Sequence, residues 1–233
     1  MGRIGEDGRV AAIPKAVVFD NDGLLLDTEE AWTRAEQTLF ARQGREFTVE
    51  DKRTLIGSSR VTAAVKLEAI LGQAGRGEAL MDELIELVME EALAGVEPRP
   101  GAVELLARLG AAGVPMAVAS NSERAFLERT LRSAGMLEGG PFQTTVSAED
   151  VSAPKPAPDI YLEACLRLGA PPDECAALED SPIGVRAADA AGLFVIGVPY
   201  LPGTELPGAD LLAERLDDEA VLSALGVIGG GDS

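Results

Sequence analysis

Short apolar runs, four of them followed by acid, hydroxyl, amide or lysine residues, constrain the architecture of this 233-residue chain more than any other feature. The first is Ala16-Val17-Val18-Phe19, followed at once by Asp20-Asn21-Asp22-Gly23. The pattern returns at Pro115–Ala119, Phe142–Val146, Cys175–Leu178 and Leu193–Ile196. These runs lack the strict apolar–polar alternation of a half-exposed strand, so they read as strands covered on both faces. Helical spacing fills the intervals. Gly101–Leu109 carries Val103, Leu105, Leu106 and Leu109, and Ser122–Ala134 and Pro158–Leu168 are spaced alike. Pro158 and Pro182 stand where a helix can begin, because a first-turn residue needs no intrahelical N–H donor. Strands alternating with helices over Lys15–Leu26 and Pro98–Val198 predict an α/β fold, a doubly wound parallel sheet of the Rossmann-like kind.

The alternation breaks once. From Thr28 to Glu97 the spacing is helical and no strand is evident. Ala31, Ala35, Leu39 and Phe40 form one stripe, and Leu80, Leu84, Leu87, Val88 and Ala92 form another. Leu67, Ile70 and Leu71 mark a third helix ahead of the glycine-rich Gly72–Gly77 turn. An insertion of this length is no simple crossover. It is read as a helical module over residues 28–97, returning through Glu97-Pro98-Arg99-Pro100 to a core made of residues 1–27 and 98–233. No internal repeat is evident, and the ends, Met1–Pro14 and Gly226–Ser233, are expected to fray.

Composition then removes whole classes of function. Histidine is absent, which excludes Ser-His-Asp hydrolases, histidine phosphatases and histidine-ligated zinc. Asp and Glu total 39 against 20 Lys and Arg, a net charge of -19 that repels phosphate backbones and anionic lipid. Nucleic acid and membranes are therefore not expected as partners, and no apolar run approaches the ~18 residues of a membrane span. Met1–Arg9 is polar and has no apolar signal segment, so a cytoplasmic location is expected. Cys165 and Cys175 read as buried thiols rather than a disulfide. Oligomeric state is read only as monomer or weak homodimer.

Polar groups collect where strands end. Asp20 and Asp22 follow the first run and Ser120-Asn121 the second. Lys155 lies in a proline-rich loop after the third, and Glu179-Asp180 closes the fourth. Open parallel sheets bind ligands outside the carboxyl ends of their strands, which is the edge these residues share. Each ending has a structural alternative: Asp-Gly as a turn, Ser-Asn as a helix cap, Asp180-Ser181-Pro182 as a helix start. Four on one edge outweigh the alternatives taken singly. Asp20, Asp22, Glu179 and Asp180 together would repel one another unless a cation intervened, and oxygen-only donors suit Mg²⁺. Lys155 and Ser120 would add a positive charge and a hydroxyl for phosphoryl oxygens. Such a site suits phosphoryl transfer, with one aspartate attacking phosphorus and a second handling protons.

These segments resemble the motifs of the haloacid dehalogenase superfamily, in its branch with an inserted helical cap. Phe19–Glu29 is similar to the first motif, Ala119–Ser122 to the second, Lys155–Tyr161 to the third and Leu178–Val185 to the fourth. The resemblance implies Asp20 as nucleophile and Asp22 as general acid/base, with Ser120 and Lys155 on the phosphoryl group and Asn121 at the substrate. It implies Mg²⁺ on the Asp20 carboxylate, the Asp22 carbonyl and Asp180, helped by Glu179. The superfamily's dehalogenases lack the second aspartate of motif one, so Asp22 points to phosphate chemistry.

Two departures stand out. Ala153-Pro154 precedes Lys155 where relatives often carry glycine, giving a stiffer loop. In the β-phosphoglucomutases of this branch a histidine lies five residues after the aspartate of Asp-Thr, and Trp32 takes that place here. Trp32 otherwise reads as a core tryptophan of the first cap helix. Gly57-Ser58-Ser59-Arg60 resembles the cap loop that holds the distal part of the substrate, with Arg60 on a second anionic or polar group. Its alternative is a helix start with Ser59 capping and Arg60 solvated. The leading expectation is a Mg²⁺-dependent phosphatase of a small phosphorylated metabolite. A phosphosugar mutase ranks second and a non-enzymatic phospho-acceptor switch third. A dinucleotide oxidoreductase is disfavoured, since no G-x-G-x-x-G follows the first strand.

Overall fold

The computed structural model describes residues 13–56, 58, 60–93 and 95–228. Among them, six parallel strands form one sheet: β1 (Ala16–Phe19), β2 (Met116–Ala119), β3 (Thr144–Val146), β4 (Cys175–Glu179), β5 (Phe194–Gly197) and β6 (Leu211–Leu212). Their spatial order is β3-β2-β1-β4-β5-β6. The order reverses between β1 and β4, so the crevice of a doubly wound sheet opens at the carboxyl ends of those two strands. Register fixes what meets there: Phe19 lies opposite both Val118 and Leu178.

Both faces of the sheet are covered. Ala16 and Val18, Ala117 and Ala119, and Cys175 and Ala177 turn to one side. There they pack with Ile160, Tyr161, Ala164 and Cys165 of α7 (Asp159–Leu168) and with Val185, Ala187 and Ala188 of α8 (Pro182–Ala191). The alanines on both layers let helix and sheet approach closely. The alternate residues, Val17, Phe19, Val118 and Leu178, are equally buried, which is why these strands show no polar face in sequence. The remaining helices of this unit are α5 (Ala102–Ala111), α6 (Arg124–Ser133) and α9 (Glu219–Ala224).

The chain divides into two compact units. The sheet unit runs through Leu26 and resumes at Glu97, and Asp27–Val96 forms the other. Where the sheet unit is interrupted its two ends lie side by side: Leu26 bridges Pro98, and Arg99 N–H donates to the Leu25 carbonyl at 2.8 Å. The second unit is all helix among the described residues: α1 (Thr28–Arg42), α2 (Val49–Leu55), α3 (Arg60–Leu71) and α4 (Gly77–Leu93). Its buried side chains include Ala31, Ala35, Leu39 and Phe40 of α1, Leu67 of α3, and Leu80, Leu84 and Val88 of α4. The short α2 was not evident from spacing. It is set by a capping box in which Thr48 and Asp51 satisfy each other's backbone N–H groups.

Other differences are local. The third strand begins at Thr144 rather than Phe142, whose ring instead meets Phe19 edge-on at 6.0 Å. A sixth strand of only two residues, β6, escapes pattern reading because so short a segment carries no period. Pro182 is the first residue of α8 beneath the Ser181 cap, whereas Pro158 precedes the first residue of α7. Gly226 and Val227 were expected to fray, but Val227 is buried and its N–H donates to Leu222 at 2.8 Å. The rest of that expectation falls largely on residues 1–12 and 229–233, outside the described residues. Cys165 and Cys175 are buried, unbridged thiols. No helix among the described residues is long and apolar enough to cross a membrane.

Candidate active site

Asp20 is the first residue past β1, and its N–H still bonds to the Leu178 carbonyl of β4 at 3.0 Å, as if the strand continued. The carboxylate is therefore fixed at the switch point by the sheet itself. Its Oδ1 accepts from Lys155 Nζ at 2.5 Å. Lys155 reaches there from the loop between β3 and α7, and the same Nζ donates to Glu179 Oε1 at 2.6 Å. Both side chains of this link, Lys155 and Glu179, are buried.

Burial pushes the Asp20 carboxyl up, to about 8; the Lys155 ammonium opposes this, and Glu179 and Asp22 add to it. For Lys155, burial disfavours the charge, but Asp20 and Glu179 more than offset it and hold the ammonium protonated. Asp20, Glu179 and Asp180 each offer an oxygen within 4.8 Å of the others. Their oxygen-only donor set fits a hard divalent cation.

Two glycines make this crowding possible. Gly23 has φ +83°, and a Cβ there would run into the Asp180 carboxylate. Gly184, in the first turn of α8, would likewise drive a Cβ into the carboxylate of Glu179. Glu179 can therefore lie against the start of the helix. Its Oε2 accepts from the N–H of Asp180 at 3.2 Å, the N–H of Ser181 at 3.4 Å and the Ser181 hydroxyl at 3.2 Å. Its Oε1 accepts from Lys155 and from the Tyr161 hydroxyl, each at 2.6 Å. Glu179, expected to help hold a cation, thus has both oxygens engaged by protein donors.

Asp22 lies two residues beyond Asp20 and is partly exposed. Its Oδ2 accepts from the hydroxyls of Ser120 and Ser122, both at 2.8 Å, and its Oδ1 from the Asn21 amide at 3.2 Å. Ser120 is fully buried, and its oxygen also accepts the Ser122 N–H at 3.0 Å. Asn121, expected at the substrate, is turned elsewhere. Its amide donates to the Lys155 carbonyl at 3.1 Å and its oxygen accepts the Lys155 N–H at 2.8 Å, so it ties the loop carrying Lys155 to the end of β2.

The structure thus brings Asp20, Asp22, Ser120, Lys155, Glu179 and Asp180 to one edge. Arg60, in the helical unit, forms an ion pair with Asp82 of α4. Gly57 and Ser59 of the same loop lie outside the described residues. Trp32 is partly buried rather than a full core residue. Sequence reading passed over two groups. Ser122 was signalled by its hydroxyl two residues from Ser120 around a turn. Tyr161 was signalled by its own type, since a buried phenol requires a hydrogen-bond partner.

A parallel sheet whose acids, lysine and hydroxyls gather at the switch point is the architecture of a hydrolase class built around a strand-end aspartate. The chain belongs to the haloacid dehalogenase-like hydrolase family, whose model matches residues 14–192. Protein CbbY of Rhodobacter capsulatus is 35% identical over 213 residues, covering 84% of this chain and 91% of the relative. Fructose-1-phosphate phosphatase YqaB of Escherichia coli is 34% identical over 188 residues, covering 79% and 96%. Among solved structures, CbbY of Rhodobacter sphaeroides in complex with phosphate superposes with a TM-score of 0.78 at 30% identity, covering 91% of this chain and 99% of that one.

Proposed function

We propose that this protein is a Mg²⁺-dependent phosphatase of a small sugar phosphate, working through a phosphoryl group carried on Asp20. The observation that carries this reading is the pairing of Asp20 with Lys155 at 2.5 Å while Asp22 sits beside it on the Ser120 and Ser122 hydroxyls. A nucleophile, a counter-charge and a separate proton carrier then meet at the carboxyl end of β1. The relatives support the same chemistry, since one is named for fructose 1-phosphate hydrolysis and another was solved with phosphate bound.

In the first half-reaction a carboxylate oxygen of Asp20 attacks phosphorus as the ester P–O bond breaks, and Asp22 gives a proton to the departing alkoxide. In the second, Asp22 takes a proton from water as the water oxygen attacks the same phosphorus. The acyl phosphate breaks, Asp20 is regenerated and inorganic phosphate leaves. Ser120 and Lys155 would turn to phosphoryl oxygens, the Ser120 hydroxyl giving up its bond to Asp22 and Lys155 part of its contact with Asp20. Mg²⁺, held by the carboxylates of Asp20 and Asp180 and the carbonyl of Asp22, would neutralise charge on the transferring group. Arg60, by resemblance of its loop, would read the distal end of the substrate as part of a cap formed by residues 28–97.

A mutase must keep its aspartyl phosphate until a sugar hydroxyl, not water, takes the phosphoryl group. The cap histidine that aids this in β-phosphoglucomutases has no counterpart in a histidine-free chain, and the Trp32 indole cannot relay a proton at neutral pH. Phosphate release should therefore dominate. A panel of sugar phosphates, assayed for inorganic phosphate with and without Mg²⁺, tests the reading. Rapid conversion of β-glucose 1-phosphate to glucose 6-phosphate, primed by the 1,6-bisphosphate and with little free phosphate, would overturn it in favour of an isomerase.

A further inference from the structure

Lys155 has three N–H donors, and two of them are directed to Asp20 and Glu179. How far the ammonium leans toward either carboxylate decides whether it can meet a third anion at Asp20. Glu179 has no exposed surface while Asp20 retains some, so Glu179 depends more completely on protein donors. A group that draws off part of the charge on Glu179 Oε1 would therefore release Lys155 toward Asp20.

Tyr161 is placed to do this. It stands in the first turn of α7, six residues after Lys155, with its ring fully buried among Ala177, Val185 and the other side chains between sheet and helices. Its hydroxyl donates to Glu179 Oε1 at 2.6 Å, the same oxygen that accepts from Lys155. The face of its ring lies 5.0 Å from Lys155 Nζ, within the range of a cation–π contact. Burial, and then the charge on Glu179, hold the phenol firmly protonated, so it serves as a donor and not as a base. One side chain thus shares the acceptor of Lys155 and also backs the ammonium itself.

We propose that Tyr161 is a positioning residue for phosphoryl transfer, holding Lys155 between Glu179 and Asp20 through its hydroxyl and ring. The inference rests on the phosphatase reading above. Without the hydroxyl, Oε1 has Lys155 as its one remaining partner, and the ammonium is drawn away from Asp20. Charge developing on the transferring phosphoryl group would then be met at a longer distance.

Tyr161→Phe keeps the ring and deletes the donor. Losing a hydrogen bond to a charged group by about 1.5 kcal/mol corresponds to about a tenfold change in rate. With p-nitrophenyl phosphate at saturating Mg²⁺, kcat should fall about tenfold while KM changes less than about threefold. In the beryllofluoride complex, ¹⁹F NMR should show one fluorine resonance displaced, that of the atom facing Lys155. Ile160→Val, a neighbouring change in the buried core that removes no hydrogen bond to Glu179, controls for lost stability. It should lower the melting temperature yet keep kcat and the fluorine spectrum of the wild type.

Kinetics within twofold of the wild type, or an unchanged fluorine spectrum, would overturn the role of Tyr161 alone. Equal losses of kcat in Ile160→Val and Tyr161→Phe would reduce Tyr161 to a packing residue and overturn it as well. A wild-type protein that turns over no phosphate ester would overturn the phosphatase reading, and this inference with it.

Discussion

Ser122 donates its hydroxyl to Asp22 Oδ2 at 2.8 Å, the same oxygen that Ser120 holds at the same distance. A carboxylate that moves protons must be steered, and Asp22 is steered by two hydroxyls from the turn after β2. Ser120 is buried and also accepts the Ser122 N–H, so Ser122 supports the arrangement twice, by side chain and by backbone. Ser122→Ala removes only the side-chain half. A net loss of about 1 kcal/mol per hydrogen bond predicts a fall in kcat of about fivefold with the Mg²⁺ requirement unchanged. Steady-state kinetics and a Mg²⁺ titration on the purified variant check both parts.

Much of this edge was legible because β-strands carry their function at fixed places. Once the runs ending at Phe19, Ala119, Val146 and Leu178 are strands of one parallel sheet, their trailing residues must share an edge. What each side chain does there was not legible. Asn121 and Ser120 are adjacent, yet one bonds the Lys155 backbone and the other bonds Asp22. That choice depends on where the loop carrying Lys155 passes, a tertiary matter. Glu179 reads in sequence as one acid of a strand-end cluster that could help hold a cation, and the structure keeps it in such a cluster with Asp20 and Asp180. Its five donors come from Lys155, Tyr161 and the turn into α8, and they converge only in three dimensions.

The crowded acids at the edge predict dependence on a cation. Chelation by EDTA should abolish phosphate release, Mg²⁺ should restore it, and Ca²⁺ should not. Calcium takes more ligands at longer distances and would disturb the line of attack from Asp20. Asp20→Asn should remove turnover by several orders of magnitude at every Mg²⁺ concentration while circular dichroism stays native. Full activity in excess EDTA would contradict the proposed chemistry, since the acids Asp20, Glu179 and Asp180 would then meet an anionic phosphate with no metal ion between them.

Gly23 offers a sharper test of how the edge is built. Its φ of +83° is a left-handed conformation, and a Cβ would strike the Asp180 carboxylate. Gly23→Ala should lower stability by about 1–2 kcal/mol from backbone strain. It should also displace Asp180, raising the Mg²⁺ needed for half-maximal activity by at least about tenfold, because a ligand misplaced by an ångström is a ligand largely lost. Denaturant unfolding and a Mg²⁺ titration separate the two effects. Lost stability with an unaltered Mg²⁺ midpoint would remove Asp180 from the proposed ligand set.

The helical unit carries a pH-sensitive group of its own. Glu36 of α1 is buried, and burial pushes its carboxyl up to about 7, while Lys52 of α2 pulls it back and Glu29 adds slightly. Lys52 Nζ lies 3.0 Å from Glu36 and 2.8 Å from Glu29, so one ammonium serves two carboxylates. In the unfolded chain the same carboxyl titrates near 4.5. Because the folded value is the higher one, protonated Glu36 favours the folded unit. That contribution is complete below pH 4.5 and is lost as pH rises through 7. Its full size is on the order of 3 kcal/mol, taking 1.36 kcal/mol for each unit of displacement. Glu36→Gln keeps the shape and carries no charge at any pH. The variant should therefore gain stability over the wild type at pH 8 and show little advantage at pH 5. Urea unfolding monitored by Trp32 fluorescence at the two pH values reads the difference. A wild-type protein whose stability, relative to Glu36→Gln, does not fall between pH 5 and pH 8 would show that Lys52 fully compensates the buried charge.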